Sequence, residues 1–244
     1  MATIGRDTTI TWLGHATFHI QTPGGKRILI DAWVDTNPAC PAEWKQRIRS
    51  EGLDAIFVTH GHFDHIADLV ALANDTGATV VGQYDLTGWV AGKGVAADKL
   101  VGFNKGGSVT VAGIRATMTH ATHSNTFTDN GVIVPLGSEA GYVLRMENGC
   151  TIYHTGDTAV TMDMQIIGDL YQPEICILPI GDYFTMDPRQ AAYALKLIRP
   201  KYAIPEHYAT FPLLSGTPDE LRTYCQEFGV DVTVLAPAVG ESVA

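Results

Sequence analysis

Within six positions the sequence places three histidines and an aspartate, His60-Gly61-His62-Phe63-Asp64-His65. Their lone pairs are of the kind that bind divalent cations. They follow Ala55-Ile56-Phe57-Val58-Thr59, an apolar β-branched run that reads as a buried strand. On an extended turn His60 and His62 point the same way, while Asp64 and His65 sit where a helix begins, so two ligand pairs diverge toward two adjacent metal ions. Gly61 lets the backbone pass close by. Asp31 closes the apolar run Ile28-Leu29-Ile30, where an unpartnered carboxylate would cost desolvation energy. Metal-bound histidines commonly donate their remaining N–H to such a carboxylate, which makes Asp31 a candidate support for one of them. His15 follows Gly14 at the end of the first strand and is either a donor to a substrate or transition-state oxygen or a satisfied structural histidine. His19 and His154 alternate with apolar residues inside strands and read as structural.

The six-residue run resembles the HxHxDH signature of the metallo-β-lactamase superfamily. Trp12-Leu13-Gly14-His15-Ala16-Thr17-Phe18, Ile30-Asp31, His154-Thr155-Gly156-Asp157-Thr158 and Leu178-Pro179-Ile180-Gly181-Asp182 are similar to segments of its small UPF0173/UlaG-like branch. The resemblance covers nearly the whole chain. It implies an α/β (α+β) chain folded over residues 1–244 as one four-layer αββα sandwich, with metals held by loops at one edge of two facing sheets. It also implies a ligand set: His60, His62 and a later histidine at one metal, Asp64, His65 and a C-terminal histidine at the other, and Asp157 bridging both. Asp157 follows the strand Thr151–His154 in a Gly-Asp turn, where one carboxylate can hold two cations close together; the alternative is an aspartate stabilising its own turn. The later histidine is His120 or His123. His123 is preferred, because Ala121-Thr122-His123-Ser124 resembles the family's Ala-x-His-Ser segment, whereas His120 completes the strand Ile114–Thr119. The C-terminal ligand is His207, directly after the strand Tyr202–Ile204; the alternative is a surface histidine.

The elements that must position these groups alternate along the chain. Thr8–Leu13, the Pro23-Gly24-Gly25 turn and Arg27–Ile30 suggest an opening meander, and a short helix is expected around Glu43–Arg49. Ile66, Leu69, Val70 and Ala73 recur at helical spacing up to Gly77. Two strands flank Gly113 between Ser108 and Met118, and Gly141–Met146 and Thr151–His154 form a hairpin around Asn148-Gly149. Ile175–Leu178, a helix over Arg189–Ile198, Tyr202–Ile204, a helix over Asp219–Phe228 and Val232–Leu235 complete the pattern. Ala121–Ala140 has no clear period and reads as a long functional loop. Phe127, Val132, Ile133 and Leu136 within it, with Phe184, Tyr208 and Phe211 elsewhere, either wall a pocket or make ordinary core or subunit contacts.

A chain of 244 residues, 45% hydrophobic, buries a core large enough to need no disulfide or structural metal. Any bound metal is then functional. The net charge of −10 opposes nucleic-acid binding, and no apolar run approaches a membrane span. With no signal-like N-terminus and four scattered cysteines, Cys40, Cys150, Cys176 and Cys225, that read as reduced thiols, the chain reads as cytoplasmic, with a small-molecule substrate and a possible homo-oligomeric state. Neither Gly-x-Ser-x-Gly, a Walker loop nor GxGxxG is present, which removes serine-hydrolase and nucleotide-cofactor readings. Two divalent cations, Zn2+ or Mn2+, sharing a water lower its pKa toward neutrality and deliver hydroxide to a carbonyl or phosphorus centre. The expectation is a metal-dependent hydrolase of a small ester, lactone or phosphodiester, with Asp64 and His15 as catalytic candidates. Its rivals are a flavodiiron-like oxidoreductase, whose relatives place a glutamate where His62 stands, and a non-catalytic scaffold with saturated metals.

Overall fold

The computed structural model describes residues 4–244. The first half begins as an antiparallel meander, β1 (Thr9–Trp12), β2 (Phe18–Gln21) and β3 (Arg27–Ile30), and continues through α1 (Ala42–Glu51), β4 (Ala55–Phe57), α2 (Phe63–Ile66), α3 (Leu69–Thr76), β5 (Thr79–Gln83), α4 (Tyr84–Gly92) and β6 (Leu100–Phe103). From β3 to β6 every neighbouring pair is parallel. The second half repeats this plan. β7 (Ser108–Val111) and β8 (Ile114–His120) pair antiparallel, the hairpin β9 (Thr126–Asp129) and β10 (Val132–Pro135) stands apart, and β11 (Ala140–Arg145) and β12 (Thr151–His154) extend the antiparallel part. Then α5 (Asp163–Tyr171), β13 (Ile175–Pro179), α6 (Pro188–Ile198), β14 (Tyr202–Glu206), α7 (Pro218–Glu227) and β15 (Thr233–Val234) make the parallel part, and β16 (Ser242–Val243) returns to pair with β1.

The strands form two seven-stranded sheets, ordered β16-β1-β2-β3-β4-β5-β6 and β15-β14-β13-β12-β11-β8-β7. Side-chain alternation sorts each strand between two cores. Ile28 and Ile30, Ala55 and Phe57 face Ile175, Ile177, Tyr202 and Ile204 of the other sheet. Leu29, Ile56 and Val80 on the opposite face pack beneath Trp44, Ile48, Leu69 and Leu72 of α1 and α3. Cys176, Leu178 and Ala203 likewise pack against Leu195 and Ile198 of α6 and Leu221 of α7. Helices, sheet, sheet, helices is the four-layer αββα order expected from the resemblance. The parallel strands explain the placement of the site: several candidate ligands follow strand ends on the same rim.

Three local differences from the sequence reading have physical causes. Ala121–Ala140 is not a featureless loop: Asn130 and Gly131 both have positive φ, at 50° and 81°, forming the two-residue turn that pairs β9 with β10. The helix expected through Ile66–Ala73 is broken, because the Asp68 carboxylate accepts the backbone N–H of Val34 at 2.7 Å and its own N–H donates to the Ala32 carbonyl. That break ties the loop after β3 to the segment carrying His65. Finally, α4, α5, β6 and β16 occupy stretches to which no element was assigned. All four cysteines are free and buried, and no helix among the described residues is long and apolar enough to cross a membrane.

Candidate metal centre

The run after β4 places His60 and His65 in full burial, with His62 as the β-conformation residue that precedes α2. Gly61 is the only residue that fits between the two histidines. A Cβ there would lie 2.4 Å from Leu136 Cδ1 and 2.9 Å from Asn125 Oδ1, and its N–H donates to that same Asn125 oxygen at 2.7 Å. His62 Nδ1 faces His60 Nε2 at 2.9 Å and His123 Nε2 at 3.3 Å. Three ring nitrogens therefore converge. The edge of a tetrahedron with zinc–nitrogen bonds of standard length is about 3.3 Å, so the donor set fits a divalent cation.

A second convergence lies beside the first. Asp64, His65 and His207 bring donor atoms within 4.8 Å of one another, together with His15. Between the two groups sits Asp157. Its Oδ2 lies 3.1 Å from His207 Nε2, 3.3 Å from His65 Nε2, 3.7 Å from His123 Nε2 and 3.9 Å from His60 Nε2. Asp157 Oδ1 and His65 Nε2 are buried without a hydrogen-bond partner among the described residues. Atoms of that kind carry a desolvation cost unless something else binds them, which is a second observation that fits a cation. Gly156 lets the Asp157 turn approach, since a Cβ there would meet the Ala140 carbonyl at 2.4 Å.

Supporting contacts fix which nitrogen of His60 and of His65 faces the site. The Thr59 hydroxyl donates to Asp31 Oδ2 at 2.7 Å. With its single proton so committed, it accepts at 3.0 Å from His60 Nδ1, leaving Nε2 of His60 as the lone pair. Asp31 Oδ2 also accepts from His65 Nδ1 at 2.6 Å, which turns Nε2 of that ring toward Asp157. One carboxylate thus orients two rings. Asp31, His15 and His207 all have left-handed backbone, with φ of 55°, 56° and 53°, a conformation that costs non-glycine residues roughly 1–3 kcal/mol each and clusters at functional sites.

Charge follows from these surroundings. Burial lowers the pKa values of His60, His62 and His123, keeping them neutral as ligands must be. Burial opposes the charge of Asp157, but His207 and His65 outweigh it and hold the carboxyl well below its ordinary value. Burial also opposes protonation of those two histidines, but the neighbouring carboxylates in turn raise both, so a cation bound there displaces their protons. Burial likewise opposes Asp64, yet the hydrogen bond to His15 at 2.9 Å helps bring it down to about 2. His15 itself is pushed down to about 4 by burial.

The structure gathers all seven candidate ligands, His60, His62, Asp64, His65, His123, Asp157 and His207, with Asp31 behind two of them. His123 points inward, while His120 ends β8, is exposed and bonds only the Thr122 hydroxyl. His15 lies behind Asp64, fully buried, and the wall of the adjoining cleft does not include it. The direct donation to substrate considered for His15 therefore gives way to a contact through Asp64. Of the apolar candidates for a pocket wall, Phe127, Phe184 and Phe211 line the cleft. Leu136 is buried in the core, Val132 and Ile133 are exposed on β10, and Tyr208 stacks on Trp12 at 4.9 Å.

Sequence reasoning missed Thr59, Ser124, Asn125 and the buried Glu206. Ser124 Oγ lies 3.2 Å from His62 Nε2, and Glu206 Oε2 lies 3.1 Å from Nε2 of His154. His154 in turn accepts the Gly156 N–H on Nδ1, so the strand histidine read as structural props the turn carrying Asp157. A hydroxyl directly before His60 and an amide two residues after His123 were the available signals.

This fold and donor set define a metallo-β-lactamase-type centre. The family described as beta-lactamase superfamily domain matches residues 26–208. Two proteins named UPF0173 metal-dependent hydrolase, from Roseiflexus sp. (strain RS-1) and Roseiflexus castenholzii, are each 78% identical over the full length of both chains. A solved structure of Igni18, described as a novel metallo hydrolase from Ignicoccus hospitalis, is 33% identical, covers 97% of each chain and superimposes with a TM-score of 0.84. The chain belongs to the UPF0173 metal-dependent hydrolase family of the metallo-β-lactamase superfamily.

Proposed function

We propose that the chain holds two divalent cations, one on His60, His62 and His123 and one on Asp64, His65 and His207, with Asp157 shared, and that it hydrolyses a small ester, lactone or phosphodiester. The observation that carries this reading is the position of Asp157 Oδ2, within 3.9 Å of four histidine Nε2 atoms drawn from both groups. Imidazole-rich ligation favours zinc, with manganese as the second choice. When bound, such a pair supplies Lewis acidity and a water acidified toward neutrality. The chain's own residues do the rest. Asp31 and Thr59 hold the rings of His60 and His65 with their Nε2 atoms inward, and Asp64 and Asp157 add two negative charges that offset the cations. Asp64, His62, His123, Asp157 and His207 face the cleft where a scissile bond would lie.

Four buried thiols agree with a reducing, cytoplasmic setting. The test is turnover of activated phosphodiesters, lactones and esters by zinc- or manganese-loaded protein with no redox cofactor. The reading expects hydrolysis that chelation abolishes and metal restores. No hydrolysis across that panel, with dioxygen consumed by iron-loaded protein, overturns it in favour of an oxidoreductase.

A further inference from the structure

The cleft beside the metal-ligand cluster has a volume of about 910 Å3, ample for a drug-sized molecule and far more than a scissile bond needs. Beyond the candidate ligands its wall is apolar: Phe63, Phe127, Phe184, Phe211, Pro212 and Leu213, with Ser124, Thr126 and Thr128 the only other polar residues. None of the chain's 16 lysines and arginines lines it. Three of the large apolar side chains are about half exposed at its mouth, Phe63 at 56%, Phe184 at 49% and Leu213 at 52%. Exposed apolar groups gathered beside a site mark a surface that binds something apolar.

Part of this wall is braced. Trp33 meets Phe63 edge-on and stacks along Phe211, both at 5.8 Å between ring centroids. Phe127 comes from β9 and packs against Trp89 at 5.1 Å. The rings therefore have support behind them, and their negative faces repel an anion. A substrate carrying a phosphate or carboxylate away from the scissile bond would lose its hydration there and meet no cation in exchange.

Resting on the hydrolytic reading above, we propose that the part of the substrate outside the scissile bond is uncharged and apolar, with the bulk of an aromatic ring or medium alkyl chain. Phe63, Phe127, Phe184, Phe211 and Leu213 select it. Among hydrolysable classes this favours a neutral ester or lactone and rejects substrates recognised through a second anionic group.

Two measurements test this on the full chain, using Phe184→Lys/Leu213→Lys, a double change at rim positions already half in solvent. The first titrates metal-free protein with the neutral fluorescent probe N-phenyl-1-naphthylamine. The parent binds it, and the double variant binds at least about tenfold more weakly, the factor expected when roughly 60 Å2 of apolar contact is lost. Its zinc content and thermal midpoint match the parent's. The second compares kcat/KM of zinc-loaded protein for 4-nitrophenyl hexanoate and 4-nitrophenyl hemiglutarate, which share a leaving group and differ in the charge of the acyl chain. The neutral ester is preferred by at least about tenfold, and the double variant narrows or reverses that ratio. Hydrolysis with equal or greater preference for the anionic ester, or probe binding indifferent to the two lysines, overturns the apolar specificity while leaving the hydrolytic reading intact. Probe binding that is sensitive to the lysines, with neither ester hydrolysed, supports the apolar cleft and counts against the hydrolytic reading.

Discussion

Thr59 shows how much of the centre depends on residues that bind nothing themselves. Its one hydroxyl proton goes to Asp31, which obliges His60 to present Nε2 to the site. Thr59→Val keeps the shape, removes that relay, and lowers metal affinity on the order of 10–100-fold, while Thr59→Ser restores it. Zinc competition with a chromophoric chelator measures the change, and unaltered affinity in the valine variant contradicts the assigned role. The two candidates on either side of the β8 end separate just as sharply. His123→Ala removes metal as His60→Ala does, whereas His120→Ala keeps parental metal content, because the His120 ring is exposed and hydrogen-bonds only the Thr122 hydroxyl. The reverse pattern in elemental analysis transfers the ligand to His120. The candidate ligand histidines stand out in the sequence because three of them cluster with an aspartate in His60-Gly61-His62-Phe63-Asp64-His65, directly after an apolar run. Thr59 does not, since a threonine at a strand end is an ordinary β residue until its partners are known.

At the scale of elements, legibility tracked the clarity of the apolar period. β4 and β13 are continuous apolar runs and α6 repeats cleanly, and all three lie where expected. α5 does not, since buried Met164 and Ile167 share it with exposed Ile166 and Leu170, so no single face stands out. The hairpin β9–β10 was hidden among small polar residues, although Asn130-Gly131 was its signal. Packing between elements also sets a pH response outside the site. His19 on β2 is 5% exposed and lies against Trp44 of α1, with ring centroids 5.0 Å apart. Burial, with the nearby Arg47 charge, holds it down at about 4. An unfolded histidine titrates near 6.5, so on acidification the unfolded chain takes up a proton that the folded chain refuses. This contribution is fully present above about pH 6.5 and is lost as pH falls toward 4, amounting to about 3 kcal/mol. Urea unfolding of metal-free protein at pH 7.5 and 4.5 should show a smaller pH-dependent loss in His19→Gln than in the parent. Equal losses contradict the burial assigned to this histidine.

For the whole molecule, the repeated plan of meander and parallel strands matters because it brings donors from both sheets to one rim. His60 and His65 follow β4 of the first sheet, whereas Asp157 and His207 follow β12 and β14 of the second. Among the described residues the fold rests on three apolar cores that hold none of the candidate ligands. Chelation should therefore leave the far-ultraviolet circular dichroism unchanged and cooperative unfolding intact, with a lower midpoint. Collapse on chelation contradicts that separation of fold from site. The central claim is that Asp157 joins two cations, and anomalous diffraction from crystals of zinc-loaded protein tests it most directly. Two peaks are expected, one among His60, His62 and His123, the other among Asp64, His65 and His207, both beside the Asp157 carboxylate. A single peak, or zinc bound away from Asp157, contradicts it.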